Sequence, residues 1–209
     1  MKFFLPARLG VGVRLRSTAS YLPEAVLDNA AIVARGAPLG ADEITRLSGI
    51  ETRHRAAPDQ ATSDLAIAAG RAALERAGLD PSAVDRLILA TTSPDRLVPA
   101  TACVVQHALG LRTVPAYDLA AACSGFLFAL DAAARAVATG DEAVLAIAAE
   151  IRSRFVSPTD RATAALFGDG AAAALLEPCP AGEGLLAIGL RTDGRGADTV
   201  HIPAGGSRE

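Results

Sequence analysis

The stretch that decides the fold is Tyr117-Asp118-Leu119-Ala120-Ala121-Ala122-Cys123-Ser124-Gly125-Phe126. Residues 114–119 have the character of a strand, the alanines allow a tight corner, and an Ala-rich pattern predicts a helix from about Cys123 to Thr139. Cys123 is therefore expected in the first turn of that helix. Unpaired N–H groups there carry partial positive charge, which favours a thiolate. Position alone leaves two roles open, a nucleophile and a small buried apolar residue.

Strands and helices alternate along the rest of the chain, and this order predicts an α/β fold with a layered, mostly parallel sheet. Residues 144–149 lack polar alternation, so both faces of that strand should be covered. No element is expected in the charged segment 50–55. Ser63 is the expected N-cap of the first long helix, Asp28 caps a short one, and Gly78 ends the long one. We expect strands at 9–16, 87–90, 114–119 and 144–149, a final antiparallel pair at 171–176 and 185–191, and helices at 28–35, 42–47, 63–77 and 99–109.

Composition excludes several classes of protein. The 209 residues carry 20 basic and 23 acidic side chains, and aromatic residues make up 4%. Scattered arginines and few aromatics argue against nucleic-acid binding, and no apolar run approaches the roughly 20 residues of a membrane span. The first residues are too soon interrupted by Pro6 to form a signal peptide. Three cysteines without a CxxC spacing argue against a disulfide framework or a zinc site, so we expect a cytoplasmic protein.

The segment Ala120-Ala-Ala-Cys123-Ser-Gly-Phe126 resembles the active-site motif of the beta-ketoacyl-acyl-carrier-protein synthase III family, within the thiolase superfamily. Further similar motifs follow that family's order: Tyr21-Leu22-Pro23-Glu24, Ser48-Gly49-Ile50 with Arg53-His54, Ala90-Thr91-Thr92-Ser93, Pro158-Thr159-Asp160-Arg161 and Phe167-Gly168-Asp169-Gly170-Ala171. The resemblance implies a layered αβαβα thiolase fold, usually in a homodimer. It also implies acyl transfer onto Cys123 and decarboxylative condensation with a malonyl thioester. The acyl donor would be a coenzyme A or acyl-carrier-protein thioester, with no tightly bound cofactor.

The resemblance also proposes substrate-binding residues. Arg161 matches an arginine at the mouth of the substrate tunnel, where it contacts coenzyme A phosphate or a carrier protein; alternatively, it is a surface residue paired with Asp160. Phe167 and Gly168 match a turn near the active site, where a purely structural role for the glycine is the alternative. Val98 stands where the family often has a phenylalanine lining the partner subunit's acyl pocket. Its smaller side chain predicts tolerance of acyl chains longer than acetyl.

Two further positions depart from the family pattern. Glu43 and Leu47 stand where family members often carry the tryptophan and arginine that hold the adenine of coenzyme A. Neither residue type stacks on adenine. This departure favours a carrier-protein thioester, or coenzyme A held in another way.

The resemblance covers the N-terminal half of the family, so residues 1–209 are interpreted as one thiolase-like N-terminal domain without the C-terminal half. The family's catalytic His and Asn lie in that second half. His54, His107 and His201 match no motif for a catalytic base, so the chain is a fragment or is completed by a half chain that carries the His and Asn. Two alternatives remain: an acyltransferase acting on an alcohol or amine, and a non-catalytic partner subunit. No dinucleotide-binding fingerprint follows the first strand, and no metal-ligand cluster is visible.

Overall fold

The structure is a computed structural model that describes residues 3–202 and 204–207. It contains strands β1 to β7 and helices α1 to α5, joined by short turns. The strands are β1 Gly12–Tyr21, β2 Ala25–Asp28, β3 Thr52–Arg55, β4 Arg86–Ala90, β5 Ala116–Leu119, β6 Val144–Ile151 and β7 Asp169–Cys179. The helices are α1 Asn29–Ala34, α2 Ala41–Ser48, α3 Thr62–Ala77, α4 Thr101–Ala108 and α5 Gly125–Ala138.

Five strands form the central sheet in the order β1-β7-β6-β4-β5. Strand β4 pairs in parallel with β5 and β6, whereas β7 pairs antiparallel with β6 and β1. Four of the five strands therefore point the same way, and β7 alone runs opposite. The predicted α/β class and the mostly parallel sheet are confirmed. Strands β2 and β3 form a separate antiparallel pair.

Helices cover both faces of the central sheet. On one face, α3 and α4 bury Leu65, Ala69 and Val105 against the sheet. On the other, α5 packs through alanines such as Ala129 and Ala133. Leu145 and Ile147 belong to the first core and Val144 and Ala146 to the second, so both faces of β6 are covered, as predicted. Small alanine side chains let α5 lie close to the strands.

Several helix boundaries follow the predicted signals, whereas α4 and α5 each begin two residues later than expected, at Thr101 and Gly125. Asp28 accepts a hydrogen bond from the Ala31 N–H at 2.7 Å and caps α1. Gly49 and Gly78 end α2 and α3 in the left-handed conformation that glycine adopts at little cost. The expected N-cap at Ser63 is wrong. Helix α3 begins one residue earlier, and the Asp64 carboxylate accepts the Ala61 N–H at 2.7 Å.

Two strand predictions are also wrong. Residues 185–191 do not pair with the strand at 171–176. That strand, β7, lies between β1 and β6, and Ile188 only forms an isolated bridge with Phe4. The charged segment 50–55 contains strand β3, which pairs with β2. No helix in the described part of the chain is long and apolar enough to cross a membrane.

Candidate active site

Cys123 lies in the turn between β5 and α5, two residues before the helix in whose first turn it was expected. Strand β5 ends at Leu119, a short 3-10 turn spans Ala122–Ser124, and α5 begins at Gly125. Cys123 is exposed, so it is not the small buried residue that one of the two interpretations required. It precedes the α-helix rather than forming part of its first turn. The turn delivers a solvent-accessible sulfur to the carboxyl-terminal edge of the parallel strands.

The backbone next to Cys123 adopts an uncommon conformation. Ala122 has a φ of 45°, and no other non-glycine residue in the described ranges has a positive φ. A left-handed alanine costs about 1–2 kcal/mol, so the surrounding structure must impose it. Gly125 contributes by its lack of a side chain, since an added Cβ would lie 3.3 Å from the Ala90 Cβ. The beginning of α5 is thus seated directly on the end of β4.

No side chain caps the N-terminal end of α5. Neither Ala121, which precedes the 3-10 turn, nor Ser124, which precedes the helix, makes a side-chain capping hydrogen bond. Uncapped helix starts present backbone N–H donors and partial positive charge. The N–H groups of Ser124 and Gly125 are bonded within the turn, to the carbonyl oxygens of Ala121 and Ala122. The backbone N–H of Cys123 itself is the candidate donor to a negatively charged oxygen.

Asp118, at the end of β5, holds the neighbouring helix. Its carboxylate accepts the N–H groups of Thr101 and Ala102, both at 2.8 Å, and so caps α4. The carboxylate in the Cys123 motif is therefore committed to structure. Sequence reasoning did not assign this role, because Asp118 follows Thr101 and Ala102 by 17 and 16 positions and so lies outside the local pattern of a helix cap.

Glu150 organises the connection between β4 and α4. One carboxylate oxygen accepts the Thr92 N–H at 2.7 Å and the Thr92 hydroxyl at 2.9 Å, and the other accepts the Ser93 hydroxyl. The Ser93 hydroxyl in turn accepts the Ile151 N–H at 2.9 Å. Sequence reasoning missed this glutamate because its partners lie almost 60 positions earlier.

Val98 lies at the tip of that connection. Leu97 and Val98 are 81% and 82% exposed, which is unusual for apolar side chains. The base of the loop is tied down, because Asp95 accepts the Ser63 N–H at 3.0 Å and donates its own N–H to the Thr101 hydroxyl at 3.0 Å. The loop thus presents two uncovered apolar side chains on an anchored base.

Arg161 does not pair with Asp160. Its guanidinium donates to the Glu43 carboxylate at 3.0 Å and to the Pro38 carbonyl at 3.1 Å. Asp160 instead accepts hydrogen bonds from the Thr163 hydroxyl and the Ala162 N–H, which hold the pKa of Asp160 below its usual value. The interpretation of Arg161 as a partner of Asp160 is therefore wrong. Arg161 joins the segment after β6 to α2.

Phe167 and Gly168 lie where the chain returns toward β7. Phe167 is half-buried with its ring centroid 5.9 Å from the Arg152 guanidinium carbon. A Cβ on Gly168 would lie 3.0 Å from the Arg53 Cβ, so this glycine permits a close approach to β3. Asp169 is buried and accepts the N–H groups of Ala56 at 2.8 Å and Ser153 at 2.9 Å. The turn has the structural role that was the alternative for Gly168.

The three histidines lie apart from the cysteine turn in sequence, and within the described ranges none of them makes a side-chain hydrogen bond to Cys123. His54 lies in β3, and its Nδ1 is 2.5 Å from the Pro23 carbonyl oxygen. His107 is exposed on α4, and His201 Nδ1 lies 3.1 Å from the Asp198 carbonyl oxygen. Residues 3–202 and 204–207 hold no group of three His, Cys, Asp or Glu side chains arranged to bind a metal ion.

Fold and site together define a thiolase-like layered α/β protein with an exposed cysteine at a strand-to-helix turn. Residues 117–194 match the family described as 3-Oxoacyl-[acyl-carrier-protein (ACP)] synthase III. The chain is 45% identical over 203 residues to the acetoacetyl CoA synthase NphT7 of Streptomyces sp. (strain CL190), covering 95% of this chain and 61% of that protein. It is 50% identical over 165 residues to the 3-oxopimeloyl-[acyl-carrier-protein] synthase of Rhodothermus marinus, covering 79% of this chain and 48% of that protein.

A solved structure gives the same result. The crystal structure of 3-oxoacyl-(acyl carrier protein) synthase III, FabH, from Pseudomonas aeruginosa PAO1 superposes with a TM-score of 0.86 at 36% identity, covering 94% of this chain and 62% of that one. This chain is thus similar to the N-terminal part of 3-oxoacyl-acyl-carrier-protein synthase III proteins. It aligns to the N-terminal part of that fold and spans between 48% and 62% of the length of these three relatives.

Proposed function

We propose that the chain carries the acyl-accepting part of a beta-ketoacyl-acyl-carrier-protein synthase III-like enzyme of fatty-acid or polyketide assembly in the cytoplasm. Cys123 is the catalytic nucleophile. The observation that carries this proposal is the exposed Cys123 in an uncapped turn between β5 and α5. The match of residues 117–194 to the family supports it.

The first step is transfer of an acyl group to the cysteine. The Cys123 thiolate attacks the carbonyl carbon of an acyl thioester, and a carbon–sulfur bond forms. The tetrahedral oxyanion then collapses and expels the donor thiolate, which takes up a proton. The backbone N–H of Cys123 helps to stabilise the oxyanion. Acyl coenzyme A or acyl carrier protein supplies the acyl group, so the step uses no tightly bound cofactor.

The second step forms the carbon–carbon bond. A malonyl thioester loses carbon dioxide, its carbanion attacks the carbonyl carbon of acyl-Cys123, and the Cys123 thiolate leaves. The enolate formed from the malonyl thioester needs stabilising groups close to Cys123. His54, His107 and His201 are not hydrogen-bonded to Cys123 and are not assigned this role. We infer that residues 1–209 form an N-terminal domain that works with a second half carrying the His and Asn, either in one polypeptide or as a separate chain.

Arg161 and Glu43 bear on the choice of acyl donor. The Glu43 carboxylate already neutralises the Arg161 guanidinium at 3.0 Å, so a phosphate of coenzyme A must compete with it. This pairing favours a carrier-protein thioester. Replacing Glu43→Gln should raise kcat/KM for acyl coenzyme A relative to acyl carrier protein, whereas Asp42→Asn on the same helix should leave the ratio unchanged. An unchanged ratio in Glu43→Gln refutes this role of the ion pair.

We infer a homodimer from two features at the same side of the molecule. Strand β5 is an edge of the central sheet, with Tyr117 exposed on it. The neighbouring loop presents Leu97 and Val98, which a second copy would cover. Sedimentation of the protein with its second half should give a dimer that Val98→Asp weakens, and a monomer in both samples contradicts this assignment.

The function is tested by condensation in the presence of the second half. Mixed with acyl carrier protein thioesters of an acyl group and of malonate, the protein should release carbon dioxide in step with beta-ketoacyl product. Cys123→Ala should abolish product, whereas Cys103→Ala, which changes another exposed cysteine, should not. Ester or amide formation from an alcohol or amine without carbon dioxide release identifies the acyltransferase alternative and contradicts the proposal.

A further inference from the structure

A cleft separate from the Cys123 turn lies between α1, β3 and the segment after β6. Its volume is about 290 Å³, and its apolar wall includes Ile32, Val156 and Ala164. Arg35 and Arg55 line the same cleft. The lining includes no carboxylate and no residue of the 116–126 region, so the cleft does not include the cysteine turn.

The two arginines that line the cleft have no acidic partner. Arg35 is exposed at the end of α1 and Arg55 is half-buried at the end of β3. Neither forms an ion pair or a side-chain hydrogen bond with residues 3–202 or 204–207. In contrast, seven other arginines in those ranges pair with carboxylates. Two unneutralised guanidinium groups at one concave site attract an anion.

A third arginine lies at the inner end of the cleft. An adjoining pocket of about 20 Å³ shares five lining residues with it, Arg55 among them, and is also lined by Arg53. Arg53 is 6% exposed and donates to the Asn29 side chain at 2.7 Å and the Ala165 carbonyl at 2.6 Å. Its Nε has no hydrogen-bond partner. An unpartnered donor on a buried cation adds to the attraction for negative charge.

The apolar wall limits the kind of anion that fits. Ile32 and Ala164 are buried in the wall and Val156 is half-buried, so a bare inorganic ion would make no use of this apolar surface. An uncharged alkyl compound would leave the guanidinium groups unpaired. Guanidinium groups bind the paired oxygens of carboxylates and phosphates in a planar, bidentate arrangement. We propose that the cleft binds a small amphipathic anion, a carboxylate or phosphate monoester on a short alkyl chain.

Isothermal titration calorimetry with five compounds tests whether binding needs both the negative charge and the alkyl chain. Hexanoate and hexyl phosphate should bind the 209-residue chain. Hexanol, which lacks the charge, and acetate or inorganic phosphate, which lack the alkyl body, should bind at least ten-fold more weakly. The tighter of hexanoate and hexyl phosphate identifies the preferred head group. The proposal is overturned if neither binds, or if hexanol binds as tightly as hexanoate.

Variants and mapping then locate the site. The double variant Arg35→Gln/Arg55→Gln should weaken hexanoate binding at least ten-fold, and Arg8→Gln, which changes an exposed arginine outside the cleft, should not. In the unmodified chain, hexanoate should shift the backbone amide resonances of Ile32, Val156 and Ala164. Shifts confined to other residues, or unchanged affinity in the double variant, contradict the assignment. Neither measurement depends on the chemistry of Cys123.

Discussion

Two connections leave the same edge of the central sheet, and they are held in opposite ways. Residues 91–100, between β4 and α4, are tied down by side-chain hydrogen bonds to Glu150 and around Asp95. Residues 120–124, between β5 and α5, make no side-chain hydrogen bond within the described chain. Their course is set by the left-handed Ala122 and by the close contact of Gly125 with Ala90.

The difference shows how the side chain of the proposed nucleophile is kept accessible. Polar side chains in this turn would accept hydrogen bonds from the backbone N–H of Cys123 and would compete with a substrate for it. Alanine and glycine have no such polar groups. Packing and backbone conformation therefore fix the cysteine, while the neighbouring loop uses hydrogen bonds to hold its exposed tip. The free energy of unfolding should therefore fall when polar groups that anchor residues 91–100 are removed. It should also fall when side-chain volume is added in or next to residues 120–124.

The largest effect is expected from Glu150→Ala. It removes the acceptor for the Thr92 N–H and for two hydroxyl groups, which should lower the free energy of unfolding by about 3 kcal/mol. Glu142→Ala, which changes an exposed side chain just before β6, should have little effect. Urea unfolding measures both. Equal stability of the two variants would show that the network does not hold the first connection.

Adding volume at Gly125 should have the next largest effect. A Cβ there would lie 3.3 Å from the Ala90 Cβ, and a branched side chain must displace α5 from β4. We expect Gly125→Val to destabilise the chain by about 2 kcal/mol, measured by urea unfolding. Gly125→Ala should be close to neutral, because the better helix propensity of alanine offsets the mild crowding. An unchanged free energy of unfolding in Gly125→Val would mean that α5 does not pack closely on β4.

A smaller effect is expected at Ala122. Valine is more restricted than alanine at positive φ, so Ala122→Val should lower the free energy of unfolding by about 1 kcal/mol. Ala122→Gly should not destabilise the chain, since glycine adopts this φ readily. Thermal unfolding of the pair checks the assignment, which fails if valine is the more stable of the two.

The smallest effect on stability is expected at the exposed tip of the first connection. Val98→Phe should change the free energy of unfolding by less than about 0.5 kcal/mol because the side chain is 82% exposed. In the enzyme with its second half, it should reduce acylation by long-chain thioesters and spare acetyl. If the unmodified enzyme accepts acetyl alone, the predicted wide acyl pocket is wrong.

Much of the fold could be predicted because its signals are local. The helix ends at Gly49 and Gly78, the Asp28 cap and the strand-turn-helix around Cys123 all follow from a few adjacent residues. The Ser63 cap failed for a local reason, because Asp64 caps the Ala61 N–H, but the larger failures depend on distant partners. Strand β3 reads as a charged loop because buried Arg53 is stabilised by Asn29 and Ala165, which no local pattern shows.

The candidate site divides in the same way. The motif located Cys123, but the ion pair of Arg161 with Glu43 joins residues 118 positions apart, and the adjacent Asp160 was the wrong partner. The strand prediction at 185–191 failed because β7 instead pairs with β1, more than 150 positions earlier in the chain. Sequence patterns thus point to the proposed nucleophile, whereas the contacts around the candidate site are seen only in the folded chain.

The most direct test is to locate the acyl group. After incubation with an acyl-carrier-protein thioester, peptide mass spectrometry should find the acyl group on Cys123. The label should persist in Cys103→Ala and vanish in Cys123→Ala. An acyl group found on Cys103 or Cys179 while Cys123 stays unmodified would contradict the account.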